Sequence, residues 1–170
     1  MADVLFIIAE SNFRDEELFD TMEEIEKRGF SAAIASKTTG EKTGMLGRKA
    51  NAEIALKDVN TSDYKAIVFV GGTGSRQYFN DSEALKIARD ADSKGKIVAA
   101  ICIAPVILAN AGLLKGKKAT VFSGNEDSIE KKGAIFVSKN IIKDKNVITA
   151  CGPSAAKMFG SEIAKAIKGS

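Results

Sequence analysis

The sequence predicts a three-layer, doubly wound α/β sandwich built on a mainly parallel sheet, with residues 1–170 as one domain. Three observations predict it. Apolar runs of strand length recur at 4–9, 66–70, 97–100 and 146–150. They lack polar alternation, as strands covered on both faces do. Stretches with helical spacing separate or follow these runs. A chain of 170 residues with 45% apolar residues is also long enough to enclose one full core.

The elements follow in order. Residues 4–9 form the first buried strand. Residues 15–28 are a helix with Leu18, Met22 and Ile25 on one face, closed by Gly29. Residues 30–36 are the second strand, and this βαβ unit implies a right-handed parallel crossover. The stretch 38–59 carries Gly40, Gly44 and Gly47 among short alternating segments, which predicts a hairpin or an irregular excursion. A strand at 66–70 runs into Gly71-Gly72. An amphipathic helix covers 82–93 and Gly95 closes it. A strand at 97–100 leads to Cys102, and a helix at 105–111 is stopped by Gly112. Residues 118–122 read as a short strand, and 135–137 with 141–142 as a small hairpin. A final strand at 146–150 precedes a closing helix at 153–168, with proline near its first turn.

Composition excludes several function classes. The chain has no histidine, so a Ser-His-Asp triad, a Cys-His dyad and a histidine-containing zinc site are out of reach within one chain. Two cysteines make neither a thiolate metal cage nor a disulfide framework, so no metal site is expected. Net charge is +3 with acids and bases interleaved, and the lysine-rich runs carry no stacking aromatics, so no nucleic-acid partner is expected. No apolar run approaches the ~20 residues of a membrane helix, and the N-terminus lacks signal-peptide character. A reducing cytoplasm is the expected compartment. No glycine-rich phosphate loop follows the first strand, so no nucleotide or other cofactor is expected.

Candidate chemistry centres on Cys102. An apolar strand enters the cysteine and a helix begins just after it, with Ala100 and Ala104 two residues to either side. Small residues so placed around a nucleophile permit the sharp strand-to-helix turn of a nucleophile elbow. That turn predicts positive φ at Cys102 and a thiol raised over a helix N-terminus, titrating below the ~8.5 of a free cysteine. The alternative is a small buried core residue. In doubly wound sheets, sites lie at the carboxyl ends of strands. The segments 9–17, Gly71-Gly72 and Cys102 all sit at such ends. Gly71-Gly72 is a tight strand exit whose N–H groups, with that of Ile103, can cradle an oxyanion. Arg14 and Arg48 are candidates for holding an anionic substrate group, with solvated surface as the other reading. Cys151 follows the last strand. It is expected to be a small filler, able to resolve an oxidised Cys102 only if the two strands adjoin or the loops move.

These stretches resemble the ThiJ/PfpI family of the class I glutamine amidotransferase-like superfamily, which includes the human Parkinsonism-associated protein and archaeal intracellular proteases. The matching segments are 13–18, 70–72, 99–105, 111–116 and 147–153. The resemblance implies a flavodoxin-like fold and a reactive cysteine at Cys102. It implies a protonated Glu17 carboxyl that meets the sulfur, where position alone reads Glu17 as a first-turn helix charge. Asp15 and Glu16 are expected to be surface charges of that turn. The activity implied is deglycase-like or glyoxalase-like attack on small reactive carbonyls, in a homodimer or higher homo-oligomer. Two alternatives stand beside it. One is a redox sensor or stress-protective, chaperone-like protein whose partner is an oxidant. The other is an intracellular peptidase or amidase. The chain departs from the family pattern where relatives carry histidine directly after the cysteine; here that residue is Ile103, which disfavours the peptidase.

Overall fold

The computed structural model describes residues 2–170. In chain order the strands are β1 (Val4–Ile7), β2 (Ala32–Ser36), β3 (Gly40–Thr43), β4 (Lys49–Ala52), β5 (Ile54–Ala55), β6 (Ala66–Phe69), β7 (Ile97–Ile101), β8 (Lys118–Ala119), β9 (Ile135–Phe136), β10 (Ile141–Asp144) and β11 (Val147–Ala150). The helices are α1 (Asp15–Lys27), α2 (Ser82–Ser93), α3 (Pro105–Asn110), α4 (Glu126–Glu130) and α5 (Ala156–Lys168). The main sheet runs β10-β11-β7-β6-β1-β2-β5 and is parallel except at β10. Chain order reverses between β1 and β6, so the crevice at their carboxyl ends is the topological switch point. The fold is α/β and doubly wound, as the apolar runs predict, and flavodoxin-like, as the resemblance implies.

Alternation along the strands divides the core into two layers. Leu5, Ile7, Ile67, Phe69 and Val98 face α2 and α3, where Ile87, Ala88, Ile107 and Leu108 meet them. Phe6, Ile8, Val68, Ile101 and Ile148 face α1 and α5, against Leu18, Ile25, Phe159 and Ile163. All these side chains are at most 5% exposed. Burying each of the Val, Leu, Ile and Phe side chains contributes roughly 1.5–3 kcal/mol of transfer free energy, set against the entropy of ordering the chain. Helices α1 and α5 approach closely because Gly160 has no side chain. A Cβ there would lie 2.7 Å from the Thr21 carbonyl and 2.8 Å from the Glu24 Cβ. Among the described residues, no helix is long and apolar enough to cross a membrane.

The excursion after β2 is an antiparallel hairpin of β3 and β4, followed by β5 at the sheet edge. The later region departs from the expectation. Residues 135–137 and 141–142 do not pair with each other: β9 lies parallel to β8, and β10 pairs antiparallel with β11. The turn of the real hairpin holds Lys145 at φ 56°. A lysine in the left-handed region carries no glycine or asparagine signal, which is why the sequence does not mark it. The strand expected over 118–122 is limited to Lys118–Ala119. Helix α4 is unexpected, since one turn with a single buried side chain, Ile129, has too little periodicity to be seen. The closing helix begins at Ala156, after a 3₁₀ turn at Pro153–Ala155.

Candidate active site

The carboxyl ends of β1, β6 and β7 meet at the switch point, and each delivers one part of the site. Strand β7 ends at Ile101, and Cys102 turns the chain at φ 67°. A non-glycine residue in this conformation costs on the order of 1–3 kcal/mol and persists where its surroundings over-determine it. Here both backbone groups are tied. The Cys102 N–H donates to the Ala150 carbonyl at 2.9 Å, and its carbonyl accepts from the Phe122 N–H at 2.8 Å. Ala100 and Ala104 are fully buried on either side, where larger side chains would crowd the turn. Cys102 as a whole is 7% exposed.

Residues between β1 and α1 bring the carboxyl. Phe13 is fully buried, and the Arg14 N–H donates to the Gly71 carbonyl at 2.9 Å, fixing where α1 starts. Glu17 then points inward on the first turn and is completely buried. Neither carboxyl oxygen has a partner in full hydrogen-bond geometry among the described residues. The polar groups beside it are the Cys102 thiol and the Gly71 N–H. Strand β6 supplies Gly71 and Gly72. A Cβ on Gly71 would lie 2.5 Å from Glu17 Oε1 and 2.6 Å from the Cys102 Cβ. Gly72 stands at φ 101°, where glycine is favoured.

Electrostatics couple the two acids. Burial pushes the Glu17 carboxyl up to about 8. Burial also pushes the Cys102 thiol up, reinforced by the neighbouring Glu17 charge and opposed by the N–H groups of Gly72 and Ile103. The thiol by itself therefore does not fall below an ordinary cysteine, contrary to the sequence-based expectation. The reason is structural: α3 has only six residues, and its short dipole does not outweigh desolvation. Two charges in the same enclosed volume oppose each other strongly, so ionisation of either group holds the proton on the other.

The thiol opens into a cavity of about 390 Å³ lined by Arg14, Met45, Gly72, Thr73, Arg76, Ile103 and residues 122–125 with Pro153. Arg14 reaches it, held by Glu16 through bonds of 2.7 and 3.2 Å. The Arg14 guanidinium holds the Glu16 carboxyl below its ordinary range. Arg48 does not line the cavity; its guanidinium stacks on the Phe19 ring, 3.7 Å from the centroid. Arg76, which sequence reasoning missed, does line it, from the 3₁₀ turn Thr73–Tyr78. Its signal was a basic residue four positions after the glycine pair at a strand exit. Asp15 is not a surface charge. It is 2% exposed and accepts the N–H groups of Leu46 at 2.8 Å and Arg48 at 2.9 Å, clamping the loop that carries Met45. Cys151 lies in an adjoining cavity of about 340 Å³, with Phe122 lining both. Among the described residues no cluster of side chains is arranged to hold a metal ion.

Fold and site together define a class: a flavodoxin-like α/β protein with a strained cysteine at the switch point, facing a buried carboxyl. The chain belongs to the DJ-1/PfpI family, whose model matches residues 2–166. It is 46% identical over 170 residues to an uncharacterised protein of Methanocaldococcus jannaschii, covering 98% of this chain and 83% of that one. It is 32% identical over 165 residues to a deglycase of Pyrococcus horikoshii, covering 97% of this chain and 99% of the relative. A ThiJ/PfpI domain protein from Brachyspira murdochii superposes with a TM-score of 0.97 at 29% identity, over 99% of this chain and 97% of that one.

Proposed function

We propose that the protein is a cysteine-dependent enzyme of deglycase or glyoxalase type, a single domain acting on small reactive carbonyls, with Cys102 as nucleophile and Glu17 as proton partner. One observation carries the reading: a fully buried, unpartnered carboxyl lies against a cysteine held at φ 67° on the wall of a cavity. Two N–H groups, of Gly72 and Ile103, favour a charge on the sulfur, whereas the Glu17 oxygens are wholly enclosed. We place the single negative charge of the pair on sulfur and the proton on the carboxyl because two backbone N–H groups serve the sulfur while one, that of Gly71, serves Glu17.

The chemistry follows from that arrangement. The thiolate adds to an aldehyde carbon, so an S–C bond forms and the carbonyl π pair moves to oxygen. Glu17 gives its proton to that oxygen, leaving a neutral thiohemiacetal and a carboxylate. The carboxylate is then the base for the next proton transfer. With methylglyoxal, a shift of hydrogen from the aldehyde carbon to its neighbour gives a thioester, and addition of water returns the thiol and lactate. Gly71 keeps the Glu17 slot open, and the Gly72 and Ile103 N–H groups support negative charge at the reacting centre. The Pyrococcus relative named a deglycase supports the reaction class. A reducing cytoplasm, in which both thiols stay free, and a homo-oligomeric assembly belong to the same reading.

A second reading is favoured by the absence of histidine, which removes the usual proton shuttle. In it Cys102 is a redox sensor whose oxyacid is held by Glu17, within a stress-protective protein. Turnover separates them. The enzyme reading expects wild-type protein to convert methylglyoxal to lactate and Cys102→Ser to fail. Wild-type protein without turnover, but with stable oxyacid on Cys102 after mild peroxide, supports the sensor.

A further inference from the structure

We propose that the cavity over Cys102 selects carbonyl compounds that carry a carboxylate, with Arg76 and Arg14 gripping the carboxylate while the sulfur takes the carbonyl carbon. This rests on the reading of Cys102 as a carbonyl nucleophile.

The charge distribution of the lining carries the inference. Among the described residues, the charged side chains that line the cavity are Arg14 and Arg76, with no aspartate or glutamate beside them. The remaining polar side chains there, Thr73, Ser123 and Asn125, are neutral. Arg14 is pre-ordered rather than neutralised as a donor. Its Nε and Nη2 engage Glu16, and Nη1 remains for another acceptor. Its backbone is also fixed, through the bond from its N–H to the Gly71 carbonyl. Arg76 is exposed and forms no ion pair with any described carboxylate.

The tally of charge at the mouth is then simple. Arg14 with Glu16 sums to zero, the Glu17–Cys102 pair carries one negative charge when ionised, Arg76 carries one positive charge, and the Glu126 carboxylate lies behind the rim, tied to the Gly124 N–H at 2.9 Å and facing the adjoining cavity. A second anion beside a thiolate is repelled unless a cation lies within a few ångströms of both. Arg76 shares the cavity lining with Cys102 and has no carboxylate partner among the described residues, so it is the cation free to meet that second anion. Its planar fork suits a carboxylate, which two N–H donors can hold side-on. A neutral dicarbonyl leaves the Arg76 fork and the Arg14 Nη1 donor without an anionic acceptor. Glyoxylate is the smallest molecule with an aldehyde carbon bonded directly to a carboxylate, and glyoxal is its uncharged counterpart of similar size.

The test measures selectivity for charge at one sulfur. Cys102 is alkylated with iodoacetate and with iodoacetamide, the labelled peptide is identified by mass, and glutathione supplies the ratio of rate constants for a free thiol. We expect the iodoacetate-to-iodoacetamide ratio at Cys102 to exceed that of glutathione at least fivefold, from one charge-assisted contact. The excess is expected to shrink as salt rises, because Arg76 is exposed. In Arg76→Gln the ratio is expected to fall to that of glutathione. A wild-type ratio equal to that of glutathione, or one unmoved by Arg76→Gln, overturns the inference.

A second arm asks how well glyoxylate and glyoxal protect Cys102 from alkylation. Glyoxylate is expected to protect at a concentration at least fivefold lower than glyoxal, with the difference lost in Arg76→Gln. Equal protection by both sinks the carboxylate preference and leaves the carbonyl reading standing. Alkylation without protection by either aldehyde sinks the carbonyl reading and the proposal with it. Labelling of Cys102 only after unfolding does the same.

Discussion

Gly71 stands so close to Glu17 that a methyl group on its α-carbon would lie 2.5 Å from the carboxyl Oε1 and 2.6 Å from the Cys102 Cβ. The missing side chain is the space in which carboxyl and thiol meet. Gly71→Ala must push Glu17 or Cys102 aside, because the third neighbour, the Ile101 carbonyl at 2.6 Å, belongs to strand β7 and has little freedom. We expect Gly71→Ala to lower the alkylation rate of Cys102 at neutral pH at least tenfold while the far-ultraviolet circular dichroism stays that of the wild type. An unchanged rate in a folded variant contradicts a coupled pair.

Glu17 makes stability fall as pH rises. Its carboxyl titrates near 4.5 when unfolded and is raised to about 8 when folded. The folded state therefore binds the extra proton between those values. The stabilisation is fully present below 4.5 and is lost as pH rises through about 8. At about 1.36 kcal/mol per pH unit, the loss is on the order of 4 kcal/mol. Urea unfolding of the wild type from pH 5 to pH 8 should show this decline, and Glu17→Gln should flatten it. A parallel decline in the variant would assign the effect to other groups.

Which member of the pair holds the charge is decided by removing the carboxyl. If the proton sits on Glu17 and is donated to a thiolate, Glu17→Ala removes a donor from the anion, and the midpoint of Cys102 alkylation against pH moves up. If the charge sits on Glu17, the same substitution removes a repelling neighbour and the midpoint moves down. We expect the upward shift, because Gly72 and Ile103 direct their N–H groups at the sulfur.

Cys102 and Cys151 each come one residue after cross-strand partners, Ile101 and Ala150, on adjacent parallel strands. Neighbouring strands lie ~4.8 Å apart, within the ~7 Å that a disulfide spans. Their side chains nevertheless diverge. The Cys151 Sγ lies 3.5 Å from Asn140 Oδ1, in the cavity on the far side of Phe122. We expect mild peroxide to leave oxygen adducts on Cys102 and a free thiol at Cys151. A Cys102–Cys151 linked peptide in a non-reducing digest would show that Phe122 yields.

The order of strands and helices was legible because each local pattern has one physical meaning. Apolar runs mark strands covered on both faces, and Ala100-Ile101-Cys102-Ile103-Ala104 permits a sharp turn that bulky residues would block. The clustering of Cys102, Glu17, Gly71, Gly72 and Ile103 at one sheet edge was legible too, since parallel strands alternating with helices send all their carboxyl ends one way. Arg48 and Arg76 were not distinguishable. Both are basic residues near turns, and only the packing of the β3–β4 hairpin turns one onto Phe19, while the 3₁₀ turn after Gly72 leaves the other at the cavity.

The amino-acid sequence by itself determined the element order, the strained turn at Cys102 and, by containing no histidine, the classes of chemistry the chain cannot perform. Tertiary structure alone decided that β10 pairs with β11, that Asp15 is a buried clamp, and that Glu17 is wholly enclosed beside the thiol, where burial pushes its carboxyl up. The physical reason is one of range. Backbone sterics and side-chain periodicity act within a few residues. Desolvation and strand pairing depend on which distant segments pack around a group, and for Glu17 and Cys102 those segments close over both.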